Sequence, residues 1–246
     1  MIEPQPDIGA YYDQFWGGAD PIGLAINDYR AFQADLFTYV DGLLGPLDGL
    51  RVLEVGPGPG FDTARLARRG AAVWAIDVSQ VSLELVRGRC AQLGLAGRVH
   101  PIRMNAEQLA FPDEAFDLTY TQNALVHTDW PRVVSECFRV LRPGGRALFV
   151  EPLRDHPAVA LYRATLSHCR GSRPRYLSWW DFGRIGHSFR RGCVRSFYFL
   201  SPLSLALRPT RLEPLLRTAL QALDQALLRL PFLRPFAWYI VAVFEK

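Results

Sequence analysis

The chain has 246 residues, 49% of them hydrophobic and 21% charged, with a formal net charge of +4. That is an ordinary globular balance, large enough to bury a substantial core as one decorated domain. No apolar run approaches the ~18 residues a membrane-spanning helix needs, and the stretch MIEPQPDIGA has neither the basic nor the apolar region of a secretory signal.

Charge is unevenly placed. Residues 155–246 carry 14 Lys+Arg against 5 Asp+Glu, whereas residues 1–154 carry 14 against 19. A basic C-terminal third suits an Arg-rich solvated face, an acidic substrate or peripheral contact with an anionic membrane. No basic-aromatic motif of a nucleic-acid module is present, so no nucleic-acid partner is expected. Cys90, Cys137, Cys169 and Cys193 lack metal-ligand spacing and read as buried free thiols, which suits a reducing, cytoplasmic setting.

In chain order, Tyr11, Tyr12, Phe15 and Trp16 form an aromatic cluster before Gly17-Gly18. Asp20-Pro21 has the pattern of a helix start. Ile22, Ile26, Tyr29, Phe32, Leu36, Phe37, Val40 and Leu44 then keep helical spacing up to Gly45-Pro46. The pattern predicts an N-terminal helical segment, with Tyr11 and Tyr12 as its lid candidates.

Arg51–Gly60 reads RVLEVGPGPG, a short apolar strand followed by a glycine loop and a helix from about Asp62 to Arg69. Strands follow at 71–77, 99–104, 116–121 and 146–151. Helices lie between them at 79–93, capped by Ser79, and at 129–141, capped by Asp129 with Pro131 near its start. Five alternations of strand and helix predict a parallel sheet covered on both faces. Beyond Glu151 the pattern predicts helices at 158–169 and 179–189, a strand at 194–200 and a final apolar strand at 236–244, central in the sheet. Thr210-Arg211-Leu212-Glu213 has the form of a capping box. It opens a helix whose stripe of Leu212, Leu215, Leu216, Ala219, Leu223, Ala226, Leu227 and Leu230 is expected to join the core.

The glycines at 56, 58 and 60 let the backbone turn and approach a ligand. A nicotinamide loop needs glycine at its sixth position, where this chain has Phe61, and no Gly-Lys-Ser/Thr of a nucleoside-triphosphate loop follows. With Ala75-Ile76-Asp77-Val78-Ser79, Asn105–Leu109 before Phe111-Pro112-Asp113, and Arg139–Gly145, four ordered segments between 51 and 151 resemble the class I S-adenosylmethionine-dependent methyltransferases. The likeness is to the small-molecule, methyltransferase type 11-like kind.

The resemblance implies an α/β fold: a Rossmann-like doubly wound sheet of about seven strands, mostly parallel with an antiparallel last strand. An N-terminal helical lid (1–48), a cofactor-binding core (49–154) and an acceptor-side segment with a helical insertion (155–246) would make up a single domain. It implies S-adenosylmethionine as cofactor, its methionine half held by Glu54, Gly56, Pro57, Gly58 and Gly60. Asp77 would accept the ribose hydroxyls and Val78 would pack on the adenine. Asn105, where the family usually has Asp, and Ala106 would meet the adenine edge. Thr121 and Gln122 would face the sulfonium, with Asn123, Tyr11, Tyr12 and Trp16 on the acceptor side.

Methyl transfer from a sulfonium is an in-line displacement, in which the protein aligns the acceptor and excludes water. His127 is the first candidate base, its alternative role being to fix the loop before Asp129; His156 is the second. No carboxylate cluster for a divalent metal follows the fourth strand, so transfer without a metal is expected. The apolar segments Trp179-Trp180 and Phe197-Tyr198-Phe199, with the Leu-rich helix, point to a small apolar or aromatic acceptor covered by the C-terminal third. Two alternatives stay open: a non-methylating reaction such as cyclisation on the same fold, and a nicotinamide-dependent oxidoreductase. The protein is expected to be a monomer or homodimer.

Overall fold

The computed structural model describes residues 7–18, 30–165, 174–208 and 210–246. Helices are α1 (Ile8–Gly17), α2 (Ala34–Leu44), α3 (Phe61–Arg68), α4 (Gln80–Gln92), α5 (Trp130–Val140), α6 (Pro157–Thr165), α7 (Trp179–Gly186) and α8 (Glu213–Leu227). Strands are β1 (Arg51–Val55), β2 (Ala72–Asp77), β3 (Val99–Arg103), β4 (Phe116–Gln122), β5 (Leu141–Pro152), β6 (Arg191–Phe197) and β7 (Tyr239–Glu245).

The seven strands form one sheet in the order β3-β2-β1-β4-β5-β7-β6. β1 pairs in parallel with β2 and β4, in registers that set Val55 opposite both Ile76 and Thr121. β7 runs antiparallel between β5 and β6, where its run of Ile240, Val241 and Ala242 is fully buried. Strand alternation divides the core in two. Leu53 and Val55 pack with the α5 and α7 side chains Val133, Cys137, Phe182 and Ile185 on one face. Val52, Leu118 and Tyr120 pack with Leu36, Val40, Leu66 and Val86 from α2, α3 and α4 on the other. Because strand order reverses between β1 and β4, a crevice opens outside their carboxyl ends, where open α/β sheets bind ligands.

Local signals set several boundaries. Gly45, at φ 62°, ends α2. Ser79 caps α4 by accepting from Ser82 N. Asp129 occupies the N-cap position of α5 without a side-chain capping bond, and Glu107 Oε1 instead accepts from Asp129 N at 2.9 Å. Pro143-Gly144-Gly145 lies inside a longer β5, at a shift of register against β4 between Phe116 and Leu118. The helix signal at Asp20-Pro21, the stripe positions Ile22, Ile26 and Tyr29, and Cys169 lie outside the described residues.

The C-terminal third departs most from the sequence pattern. The strand expected at 194–200 is Arg191–Phe197, because Tyr198 takes φ 66° and leaves the ladder to bury its ring, donating to Asp35 Oδ1 at 2.5 Å. The expected helix 179–189 stops at Gly186, and the last strand begins at Tyr239 after a 3₁₀ segment, Pro231–Phe236. The capping box does not form: Leu212 holds the N-cap position and Glu213 opens the helix. Nor does the Leu stripe of α8 join the core, since the buried side chains of that helix are Glu213 and Asp224. Cys90 and Cys137 are buried free thiols, but Cys193 is exposed on the edge strand β6. Among the described residues, no helix is long and apolar enough to cross a membrane.

Candidate active site

A cavity of about 890 Å³ occupies the crevice at the carboxyl ends of β1, β2 and β4. Of the residues expected at the site, Glu54, Gly56, Pro57, Gly58, Asp77, Val78, Asn105, Ala106, Gln122, Asn123, His127, Tyr12 and Trp16 line it.

The glycine loop forms its floor. Gly56 has φ 67°, and a Cβ there would meet the Ala124 Cβ at 2.7 Å, so only glycine lets the loop pass so close to the β4 exit. Gly60 does not line the cavity. At φ 77° it starts α3, and a Cβ would lie 3.0 Å from the Val86 Cα, so its role is to let α3 and α4 pack. Arg89 Nε steadies the loop by donating to Pro59 O at 2.7 Å.

Glu54 is the buried acid of the floor. It is 2% exposed, and its Oε2 has no hydrogen-bond partner. Burial, with the nearby negative charge of Asp62, raises its pKa to about 8. Arg65 holds Asp62 at 3.0 Å and Arg30 holds it at 3.3 Å, so cations already serve Asp62 while Glu54 keeps an open acceptor at the cavity. A buried carboxylate oxygen without a donor suits a cationic group on a ligand.

The β2 end carries polar anchors. Asp77 Oδ1 accepts from Ser79 N at 2.9 Å, and Ser82 Oγ lies 2.8 Å from Asp77 Oδ2 and 2.9 Å from Gly58 O. Burial raises the Asp77 pKa against those hydrogen bonds. Each carboxylate oxygen retains a further lone pair, so Asp77 can still accept from vicinal hydroxyls. Asn105 Oδ1 accepts from Glu107 N at 2.9 Å, an Asx turn that occupies one of its lone pairs. Ala106 is buried against the cavity, and Met104, which the sequence did not single out, adds an apolar wall beside Val78.

The opposite wall is α1. Asp7 caps it by accepting from Ala10 N at 3.2 Å. Tyr12 meets His127 edge-on, ring centroids 5.3 Å apart, and a Cβ on Gly58 would sit 3.1 Å from Trp16. Tyr11 packs on Tyr12 and Phe15 and does not line the cavity, whereas Phe15 does. Burial lowers the His127 pKa to about 4, so its imidazole is neutral at pH 7, and its Nδ1 has no partner.

The remaining candidates are tied into the β4 exit. Asn123 takes φ 56° and its Oδ1 accepts from Tyr239 OH at 2.7 Å, which fixes the turn after β4. Gln122 Oε1 accepts from Tyr120 OH at 3.2 Å. Thr121 is fully buried and donates to Glu151 Oε1 at 2.9 Å, away from the cavity. Glu151 also accepts from Ala124 N and Leu125 N, so this one acid anchors the 123–127 loop.

The structure does not bring His156 to the site. Val159 N donates to its Nδ1 at 3.2 Å, which leaves Nε2 protonated and donating to Phe199 O at 2.9 Å. Both nitrogens are therefore committed to backbone. Neither Trp179-Trp180 nor the 197–199 segment lines the cavity, and no described lining residue lies beyond Thr128. Among the described residues, the wall facing the glycine loop comes from the N-terminal helix and the post-β4 loop. Sequence reasoning also passed over Asp13, Arg30 and Glu151, polar residues whose partners lie far along the chain. Among the described residues, no group of three or more His, Cys, Asp or Glu is placed to hold a metal ion.

Residues 52–145 match a family model described as a methyltransferase domain. The ubiquinone/menaquinone biosynthesis C-methyltransferase UbiE of Vibrio vulnificus (strain YJ016) is 38% identical over 132 residues, 50% of this chain and 50% of that protein. The chain thus spans half the length of that curated relative. A dimethylglycine N-methyltransferase of Parasynechococcus marenigrum (strain WH8102) is 31% identical over 185 residues, 70% of this chain and 66% of its own. The crystal structure of the [4+2]-cyclase SpnF superposes with a TM-score of 0.59 at 24% identity, covering 87% of this chain and 81% of the other, a likeness of fold. The glycine loop with its orphaned acid, the sheet order and these relatives agree: the chain belongs to the class I S-adenosylmethionine-dependent methyltransferases.

Proposed function

We propose that the protein transfers a methyl group from S-adenosylmethionine to a nucleophilic O, N or C atom of a small apolar or aromatic molecule. The observation that carries this reading is Glu54. A buried acid with an open oxygen stands at the floor of a cavity whose far wall holds Tyr12, Trp16 and His127. When bound, the cofactor supplies a methyl group already activated by the sulfonium. Glu54 and the Gly56–Gly58 backbone would hold its amino-acid end, Asp77 its ribose, and Val78, Met104, Asn105 and Ala106 its base.

The chain's own work is then to orient and to keep water out. Tyr12, Phe15 and Trp16 present ring faces and edges to an apolar acceptor. Holding donor and acceptor in line supplies most of the acceleration such a displacement needs. His127, neutral at pH 7, would accept the acceptor's proton where one must leave. The transfer is proposed to need no metal, which chelation by EDTA tests.

Incubation with methyl-labelled S-adenosylmethionine and a panel of phenols, quinols and amines tests the reading. Label appearing in an apolar acceptor, undiminished by EDTA, is the expected result. Tight cofactor binding with product formed but no label moved would favour a non-methylating reaction. Loss of activity in EDTA, restored by magnesium, would remove the metal-independent step.

A further inference from the structure

Helix α8 is built inside out. Its inner side is polar: Asp224, 3% exposed, accepts from the backbone N–H groups of Phe199, Leu200 and Ser201 at 2.9, 2.7 and 3.0 Å. Gln221 Nε2 donates to Phe32 O at 3.0 Å, and Glu213 is buried. Its outer side is apolar. Leu215 is 71% exposed, and Leu212, Leu223 and Leu230 are exposed with it. At about 100° per residue these four fall on one arc of the helix, with alanines between them. The 3₁₀ segment that follows adds exposed Phe232 and Phe236. An amphipathic helix in a globular protein ordinarily turns such a stripe to the core; here three backbone hydrogen bonds to Asp224 hold it turned outward.

Charge decides what covers it. Residues 201–237 contain five arginines and two carboxylates, Glu213 and Asp224, both buried. The outward charge of the segment is therefore cationic, with Arg211 and Arg229 exposed beside the apolar row. A second copy meeting this face about a two-fold axis would bring the same cationic rim, and the segment offers no outward carboxylate to pair it. The acceptor cavity does not reach this face either, since none of its described lining residues lies beyond Thr128. An apolar arc flanked by arginines matches the interface of an anionic bilayer, where Leu and Phe enter the acyl boundary and Arg meets lipid phosphate.

We propose that the outer face of α8 and the Pro231–Phe236 turn dock on an anionic phospholipid surface, with the helix lying in the interfacial plane. The proposal concerns binding alone and stands apart from the transfer reaction.

Co-sedimentation of the full chain with vesicles, without cofactor or acceptor, tests it. Vesicles of equal parts phosphatidylglycerol and phosphatidylcholine should bind at least about ten-fold tighter than phosphatidylcholine alone, from roughly five-fold per exposed arginine. Replacing Leu215, Leu223 and Phe232 together by Gln should weaken binding to the mixed vesicles by about a hundred-fold, as buried apolar area is lost. Cofactor binding should be unchanged, which also shows that the variant folds. A second variant, Arg211→Gln with Arg229→Gln, should lose the preference for phosphatidylglycerol while keeping the residual apolar binding. Wild-type protein that binds neither vesicle, or a triple variant that binds as well as wild type, overturns the proposal. So does a wild-type dimer that ignores vesicles and becomes a monomer in the triple variant, which would assign the face to self-association.

Discussion

Asp13 Oδ1 lies 2.6 Å from Ser79 Oγ and 3.1 Å from Val81 N, and through these contacts α1 is tied to the first turn of α4. The bonds hold the Asp13 carboxyl below its usual range, Ser79 first among the causes. A carboxylate at a helix N-terminus also meets the positive end of the helix dipole. Asp13→Ala should release α1 from the cavity wall and weaken cofactor binding roughly five-fold, from about 1 kcal/mol for a partly solvated charged hydrogen bond. Isothermal calorimetry measures the loss. An affinity that stays at the wild-type value would show that α1 contributes nothing to holding the ligand.

Glu54 predicts a proton linked to binding. Its pKa is raised from 4.5 to about 8. In the unfolded chain the acid ionises near 4.5, whereas in the fold it keeps its proton until about 8. Its contribution to stability is therefore complete below pH 4.5 and is lost as pH rises through 8. An ammonium group beside Oε2 favours the ionised form, so cofactor binding at pH 7 should expel a proton and strengthen from pH 6 to pH 8. Calorimetry in two buffers of different ionisation enthalpy detects that release. Glu54→Gln should abolish it and weaken affinity roughly ten- to a hundred-fold, as expected for a lost charge-assisted bond.

Asp77 supports the loop as well as any ribose. Asp77→Ala would leave Ser79 N without its acceptor and loosen the link from Ser82 to Gly58. We expect cofactor affinity to fall at least about ten-fold and stability to fall by about 1–3 kcal/mol, the cost of unpaired buried polar groups. Ser82→Ala isolates the loop-supporting share, because it leaves the carboxylate in place. Equal losses of affinity in the two variants would assign Asp77 to loop support alone.

His127 should separate chemistry from binding. His127→Ala is expected to lower kcat by about a hundred-fold, within the usual range for a positioned base, and to leave cofactor affinity nearly unchanged. With its pKa lowered to about 4 by burial, the wild-type imidazole is already deprotonated above pH 6. Its limb of the rate profile should therefore be flat from pH 6 to pH 8. A parallel loss of kcat and cofactor affinity would make His127 a support for the post-β4 loop.

What was legible in the sequence was local. Val52, Leu53 and Val55 announce a strand, and three alternating glycines announce a turn that side chains would block. Ser79 announces a helix start, because its partner is Ser82 N, three residues on. The site residues that were missed have distant partners: Asp13 with Ser79, Arg30 with Asp62, and Glu151 with Thr121. No window along the chain contains such pairs, and a lone acid on a strand end carries no sign of what it will face.

The C-terminal third shows the same divide in energetic terms. The periodicity of Leu212, Leu215, Leu223 and Leu230 determines an amphipathic helix, and the sequence does so unaided. Which face turns inward is not a property of the helix. It was decided by the unpaired backbone N–H groups of Phe199, Leu200 and Ser201, freed where Tyr198 leaves the ladder at positive φ. Buried donors without acceptors are expensive, and Asp224 satisfies all three, so its side of the helix faces the protein and the leucines face out. The sequence by itself determined the five parallel strands and the ligand loop, and it carried the resemblance to the family. Only the tertiary structure decided that the N-terminal helix forms a wall of the cavity and that the apolar face of the C-terminal helix turns outward.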